Sequence, residues 1–283
     1  AMHLEQVFQP FQIQSPLDTS TQHPSYEPDP ASIQLFSPSE VALEIDKNLN
    51  PKKAPGHDEI TGRMIKELPK KGLVLLTYIF NAIIRLRYVP SAWKKAQVIM
   101  IPKPGKPTDL TSSYRPISLL PVASKLFEKL LLKRLKPVCE RGNLIPDFQF
   151  GFRNKHSTID QVHRITSLIQ KALEEKKFCV GIFLDVAQAF DKVWHKGLMF
   201  KLQKILPRVF CEILKSYLSN RQFRIQQDQT TTDWYQIRAG VPQGSVLGPI
   251  LFLLYTADIP MDNSTTAAMF ADDTAILATD DTE

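Results

Sequence analysis

Phe270-Ala271-Asp272-Asp273 sets two adjacent carboxylates between short apolar runs, Ala267-Ala268-Met269 before them and Ala275-Ile276-Leu277-Ala278 after. Runs of this kind read as strand, tight turn, strand, with both acids at the turn. Neighbouring carboxylates in apolar surroundings repel and desolvate each other, so such a turn needs a cation to be tolerable. A further acid, Asp185, ends the apolar stretch Phe178-Cys179-Val180-Gly181-Ile182-Phe183-Leu184, which reads as another strand. Taken alone, an Asp-Asp pair is more often an ordinary solvated turn.

The chain has 283 residues, 43% of them hydrophobic, enough for one large domain or two small ones with a sizeable core. Its formal net charge of +6 favours a polyanionic partner. The charge is uneven: from Lys94 to Lys136 ten Lys or Arg stand against two acids, Asp109 and Glu128. The plain alternative for such a run is a solvated helical face. Cys139, Cys179 and Cys211 are odd in number and lack metal-ligand spacing, and no signal peptide is recognisable, so a reducing intracellular compartment is expected. The six histidines form no zinc pattern. No apolar run nears the ~20 residues that span a bilayer, and the membrane is not an expected partner. Ile250-Leu251-Phe252-Leu253-Leu254-Tyr255 reads as a buried helix.

Residues 1–30 hold prolines at 10, 16, 24, 28 and 30 and no Lys or Arg. They predict a linker or extended arm, poorly ordered, over 1–35. Ser37-Pro38-Ser39-Glu40 reads as a helix start, with Ser37 as N-cap and Glu40 as its N3 partner. A turn-rich basic loop, Lys52 to Asp58, and a helix through Leu73, Leu76, Ile79, Phe80 and Ile83 follow. Ala96–Ile101 and Tyr114–Leu120 predict a hairpin with a long basic tip. Helices are expected over Ser124–Leu135, Ile159–Leu173 and Ala187–Leu202, and a hairpin over 223–239. Gly244-Ser245 is expected to open a Leu-rich helix that tolerates Pro249 in its first turns. The order is that of an α+β fold.

Four segments carry chemistry. Asp185 sits where a strand is expected to pass into a helix, with Phe190 five residues on, one helical turn into the following segment. Ala239-Gly240-Val241-Pro242-Gln243-Gly244-Ser245 has glycines that admit close backbone approach, ahead of a helix start expected to offer unpaired N–H groups. The Asp272-Asp273 turn is the third. Lys103 and Arg115, on the two hairpin strands, can clamp a triphosphate. Three strand-end acids gathered at one place would hold two Mg2+ ions roughly 3.5–4 Å apart, the apparatus of nucleotidyl transfer.

These segments resemble the reverse transcriptases. FLDVAQAFDKVWH resembles the motif with the first catalytic aspartate, GVPQGSVLGPILF the motif over the incoming nucleotide and template, and FADD the aspartate-pair motif. SYRPISLLP, GFRNKHST and NPKKAPGHDEI resemble the non-LTR retrotransposon branch, in particular jockey-like elements of arthropods. The resemblance covers roughly residues 36–279. It implies a polymerase right-hand fold over 36–283, with fingers and an incomplete palm and the thumb absent, and weak synthesis by this stretch alone.

The resemblance implies RNA-directed DNA polymerisation, with an RNA template, a DNA primer and dNTPs as partners, two Mg2+ ions (Mn2+ as an alternative) as cofactor, and a location in the nucleus or cytoplasm. It implies Asp185, Asp272 and Asp273 as catalytic, with Asp273 the weaker third carboxylate, and Asp185, Val186, Asp272 and Asp273 as the metal positions. Phe190 matches the aromatic that excludes a ribose 2′-hydroxyl, and Gln243, Gly244, Lys103 and Arg115 match nucleotide contacts. Lys52, Lys53 and Arg153 are candidate contacts to the template backbone. Asp191 reads as a helix-start acid, and Trp194 and His195 as packing residues. The alternative is a non-catalytic nucleic-acid-binding remnant of such an element. An RNA-copying RNA polymerase is disfavoured by Phe190.

Overall fold

The computed structural model describes residues 2–10, 33–107, 109–110, 113–227, 230–260, 262 and 264–281. Helix α1 (Met2–Val7) corrects the expectation of an extended arm at the start of the chain. The prolines begin only at Pro10; ahead of them Leu4, Val7 and Phe8 fall at helical spacing and are buried. Phe8 meets Phe223 edge-on with ring centroids 5.1 Å apart. Its carbonyl accepts the amides of Arg238 and Ala239. The rest of the expected arm, residues 11–32, lies outside the described residues.

Helix α2 (Pro38–Asn48) starts as expected, with Ser37 Oγ accepting the Glu40 amide at 3.1 Å. The Glu40 carboxylate does not close a capping box; it takes a two-pronged contact from Arg134 at 2.8 and 2.7 Å. Helices α3 (Gly62–Lys66) and α4 (Lys70–Leu86) follow, then β1 (Lys95–Pro102), β2 (Tyr114–Leu119) and α5 (Val122–Arg141). Phe80, Phe127, Leu130 and Leu131 lie at the centre of the main helical core. Strands β1 and β2 form the expected hairpin, with Ile101 opposite Arg115.

Next come α6 (Thr158–Glu174), β3 (Phe178–Leu184), α7 (His195–Ile205) and α8 (Arg208–Leu218). Residues 187–192 are turns and Trp194 makes an isolated bridge to Ala239, where a helix from Ala187 is expected, and α7 begins only at His195. The segment's backbone groups are drawn across to a distant loop: Val241 N donates to Phe190 O, and Gly240 N to Val193 O, both at 2.8 Å. Gln188 adopts φ +57°, which breaks helical backbone; its carbonyl accepts the amides of Asp191 and Lys192 at 2.9 and 3.0 Å, a turn that does not run on into α7.

Strands β4 (Arg221–Gln227), β5 (Thr230–Thr231) and β6 (Tyr235–Ile237) complete the first sheet, in the order β2-β1-β4-β5 with β6 also on β4. β1 and β4 run parallel and the other pairs antiparallel. The Leu-rich helix α9 (Gly248–Tyr255) starts four residues later than expected, with Pro249 in its first turn. Strands β7 (Thr265–Phe270) and β8 (Asp273–Asp280) join β3 in a second sheet of order β3-β8-β7.

Helix α6 covers one face of that sheet, setting Ile165, Leu168 and Ile169 against Ala268, Ala275 and Leu277. β3 is an edge strand, and Val180, Ile182 and Leu184 on its other face are exposed. The whole is the mixed helix-and-sheet fold the sequence predicts. Among the described residues no helix is long and apolar enough to cross a membrane.

Candidate active site

A cleft of about 800 Å³ lies between the two sheets. The β1–β2 hairpin contributes Lys103 and Arg115, the segment after β3 contributes Asp185, Val186 and Phe190, the loop before α9 contributes Gln243 and Gly244, and the β7–β8 turn contributes Asp272. Positions spread over 170 residues of sequence thus line one space. Helix α1 also reaches it through His3, Leu4 and Val7, a contribution that the proline-rich composition hides.

Sheet register sets the acids. Leu184 pairs with Thr274, so the following residue, Asp185, comes level with Asp273. Phe270 pairs with Asp273, leaving Ala271-Asp272 as the two-residue turn. Asp272 lines the cleft, whereas Asp273 lines an adjoining groove of about 380 Å³ between α6 and the second sheet. Asp185 borders both spaces. The three carboxylates make no hydrogen bond or ion pair with another described residue. Among the described residues no three His, Cys, Asp or Glu side chains are drawn close enough to enclose a metal ion. The donors on offer are oxygens on exposed or half-exposed acids, which suits a hard divalent cation.

Phe190 is half-buried and fixed on two sides. Its ring stacks on Phe252 of α9 at 4.6 Å and 19°, and Phe152 meets it edge-on at 5.9 Å. Gln243 Nε2 donates to Asp191 Oδ2 at 3.0 Å, and Gln243 O accepts the Ser118 amide of β2 at 3.0 Å. Gly244 has φ +100°, and a Cβ there would lie 2.9 Å from Ser118 O; no other residue fits this approach without displacing the hairpin. The loop that carries Gln243 and Gly244 is therefore tied to the basic hairpin by backbone.

Asp191 corrects the reading of a helix-start acid. It lies four residues ahead of α7, is 5% exposed, and burial pushes its carboxyl up to about 6, with the Gln243 hydrogen bond acting in the opposite direction. His195 shares a hydrogen bond with Gly240 O at 2.7 Å, and burial lowers its imidazole below the usual value.

The expectation of open N–H groups at the α9 start is also corrected. Glu128 of α5, fully buried, accepts the Val246 and Leu247 amides at 2.8 and 3.1 Å. It is a carboxylate brought by another helix to the positive end of α9, and burial raises its pKa. Sequence reading missed it because it counts as one of two acids in a basic stretch, with nothing local to mark it.

Lys52 and Lys53 are exposed on the loop after α2 and do not line the cleft. The Arg153 guanidinium donates to the carbonyls of Pro146 and Gln149 at 2.9 and 3.1 Å, so it braces its own loop.

A cleft that opposes oxygen donors to a Lys/Arg hairpin defines a site for a phosphorylated, cation-bound substrate. Residues 101–283 match the reverse transcriptase (RNA-dependent DNA polymerase) family, and the chain belongs to that family. It is 42% identical, over 98% of its length, to the RNA-directed DNA polymerase from mobile element jockey of Drosophila melanogaster. The probable RNA-directed DNA polymerases from transposons X-element and BS of the same species are 42% and 44% identical over 98% and 84% of the chain. The chain spans 31% of the jockey and X-element proteins and 27% of the BS protein.

Proposed function

We propose that this chain carries the nucleotide-adding centre of an RNA-directed DNA polymerase from a jockey-like non-LTR retrotransposon, extending a DNA primer on an RNA template inside the cell. The reading rests on one observation above all: Asp185, Asp272, Lys103, Arg115, Phe190 and Gln243 border a single cleft. In this reading the β1–β2 hairpin belongs to the fingers and the β3-β8-β7 sheet to the palm.

Asp185 and Asp272, with the Val186 carbonyl, would hold two Mg2+ ions, and Asp273 would stand as the weaker third carboxylate. Bound there, the ions lower the pKa of the primer 3′-hydroxyl and neutralise charge on the transferred phosphoryl group. Arg115 on β2 and Lys103, just past the end of β1, grip the triphosphate from the two arms of the hairpin. The Phe190 ring, backed by Phe252, bounds the sugar and excludes a 2′-hydroxyl. Gln243 and Gly244 form the floor under the base, held in place through Ser118. Lys52 and Lys53 contact template phosphates beyond the cleft, with affinity that falls as salt rises.

The test is dNTP incorporation on a primed RNA template with Mg2+, comparing the chain with Asp185→Asn and Asp272→Asn. Short products that vanish in both variants are expected. Incorporation that persists in either variant overturns the catalytic assignment. RNA binding without incorporation by the unaltered chain would favour the remnant reading.

A further inference from the structure

The turn that carries Asp272 is gripped from outside by a side chain that sequence reading passes over. Ala271 has φ +60°, a left-handed conformation that residues with a Cβ disfavour. One primary amide serves both polar groups of that residue. Gln149 Nε2 donates to Ala271 O at 3.0 Å, and Gln149 Oε1 accepts Ala271 N at 3.0 Å and Gly151 N at 2.8 Å. Gln149 is 2% exposed, so water does not compete for these bonds.

The backbone on either side of Gln149 is laced to β7. Phe150 N donates to Met269 O, and Met269 N to Phe148 O, both at 2.9 Å. Gln161 of α6 adds bonds from its Nε2 to Phe148 O and Met269 O at 2.9 and 3.0 Å, but it does not reach Ala271. At Gly151 a Cβ would collide with the Ala271 amide nitrogen, so the loop lies as close to the turn as backbone allows. A two-residue turn held only by its own strands can rotate its central peptide, and that rotation would swing the following side chain away from the cleft.

From this geometry we infer that Gln149 is a positioning residue for Asp272. Its amide locks the Ala271 peptide and so fixes the direction in which the Asp272 carboxylate enters the cleft. The catalytic consequence rests on the function proposed above; the lock on the turn does not.

The experiment uses the full chain with three substitutions: Gln149→Met, which keeps bulk without hydrogen bonds, Gln149→Asn, which keeps the amide but shortens its reach, and Gln161→Met as the structural comparator. Three quantities are read: amide hydrogen exchange at Ala271, Mn2+ affinity from the resonance of the free ion, and the Mg2+ concentration for half-maximal dNTP incorporation. In Gln149→Met, Ala271 should exchange at least about tenfold faster, Mn2+ affinity should drop about 10-fold or more, and the Mg2+ requirement should rise in parallel, with KM for dNTP nearly unchanged. Gln161→Met should lower Tm without moving the metal requirement.

A folded Gln149→Met chain with wild-type Ala271 exchange and Mn2+ affinity overturns the proposal, as does a Gln161→Met chain with the same metal shift. Should Gln149→Met fail to fold, Gln149→Asn carries the same expectations and the same overturning result. If the unaltered chain incorporates nothing, the polymerase reading fails, while the exchange and Mn2+ measurements still decide the lock.

Discussion

The side-chain amide of Gln243 donates to the buried carboxyl of Asp191 across 3.0 Å, joining the loop ahead of α9 to the turn that follows Asp185. The same turn is held to the same loop by Val241 N on Phe190 O. Two motifs about fifty residues apart are thus one rigid unit, and the protonation of Asp191 belongs to its stability.

Burial holds Asp191 at about 6, above the ~3.9 of an unfolded chain. A carboxyl raised on folding favours the protonated native state, so its stabilising contribution is full below about pH 4 and is lost as pH rises through about 6. The two-unit gap corresponds to about 3 kcal/mol at most. Asp191→Asn should therefore gain on the unaltered protein as pH rises from 4 to 7, by up to that amount. Urea unfolding of both proteins across this range checks it; a constant difference would refute the assignment.

Glu128 satisfies two amides at the start of α9 from a fully buried position. Glu128→Ala leaves both N–H groups without an acceptor and should cost about 2–5 kcal/mol. Glu128→Gln keeps one acceptor oxygen and should cost less. Denaturant midpoints at unchanged m-value report the difference.

The stack of Phe190 on Phe252 gives the ring proposed to bound the sugar a fixed backing. Phe190→Ala should raise rNTP use relative to dNTP by about 10–100-fold in the ratio of kcat/KM values. Competition assays with paired nucleotides measure this directly, and an unchanged ratio would count against ribose exclusion by this ring.

Phe8 packs on Phe223 and accepts two amides from residues 238 and 239. Phe8→Ala should release α1 from the sheet before the rest of the fold melts, because only this short segment depends on it. Amide exchange at Arg238 and Ala239 should then rise while the amides within β1 and β4 stay protected.

Local pattern and short-range chemistry carried much of this structure. The β1–β2 hairpin follows from alternation around a proline-rich tip, and the Ser37 cap from its spacing to Glu40. The acid turn follows from two apolar runs separated by two residues. What escaped is long-range. The 187–194 segment has apolar spacing compatible with a helix, yet the carbonyls of Phe190 and Val193 accept the amides of residues 241 and 240 instead of amides four residues on. Gln149 and Glu128 look like ordinary polar residues until partners more than a hundred positions away are seen. The α1 helix is hidden by the prolines from residue 10 onward, which dominate the composition of a segment whose first nine residues have none.

The contact between Gln149 and Ala271 spans 122 residues. Closing a loop of this length costs more chain entropy than forming the local turn itself. Any break in the chain between these two positions would leave the acids in place and free their turn from the covalent tether that brings Gln149 to it.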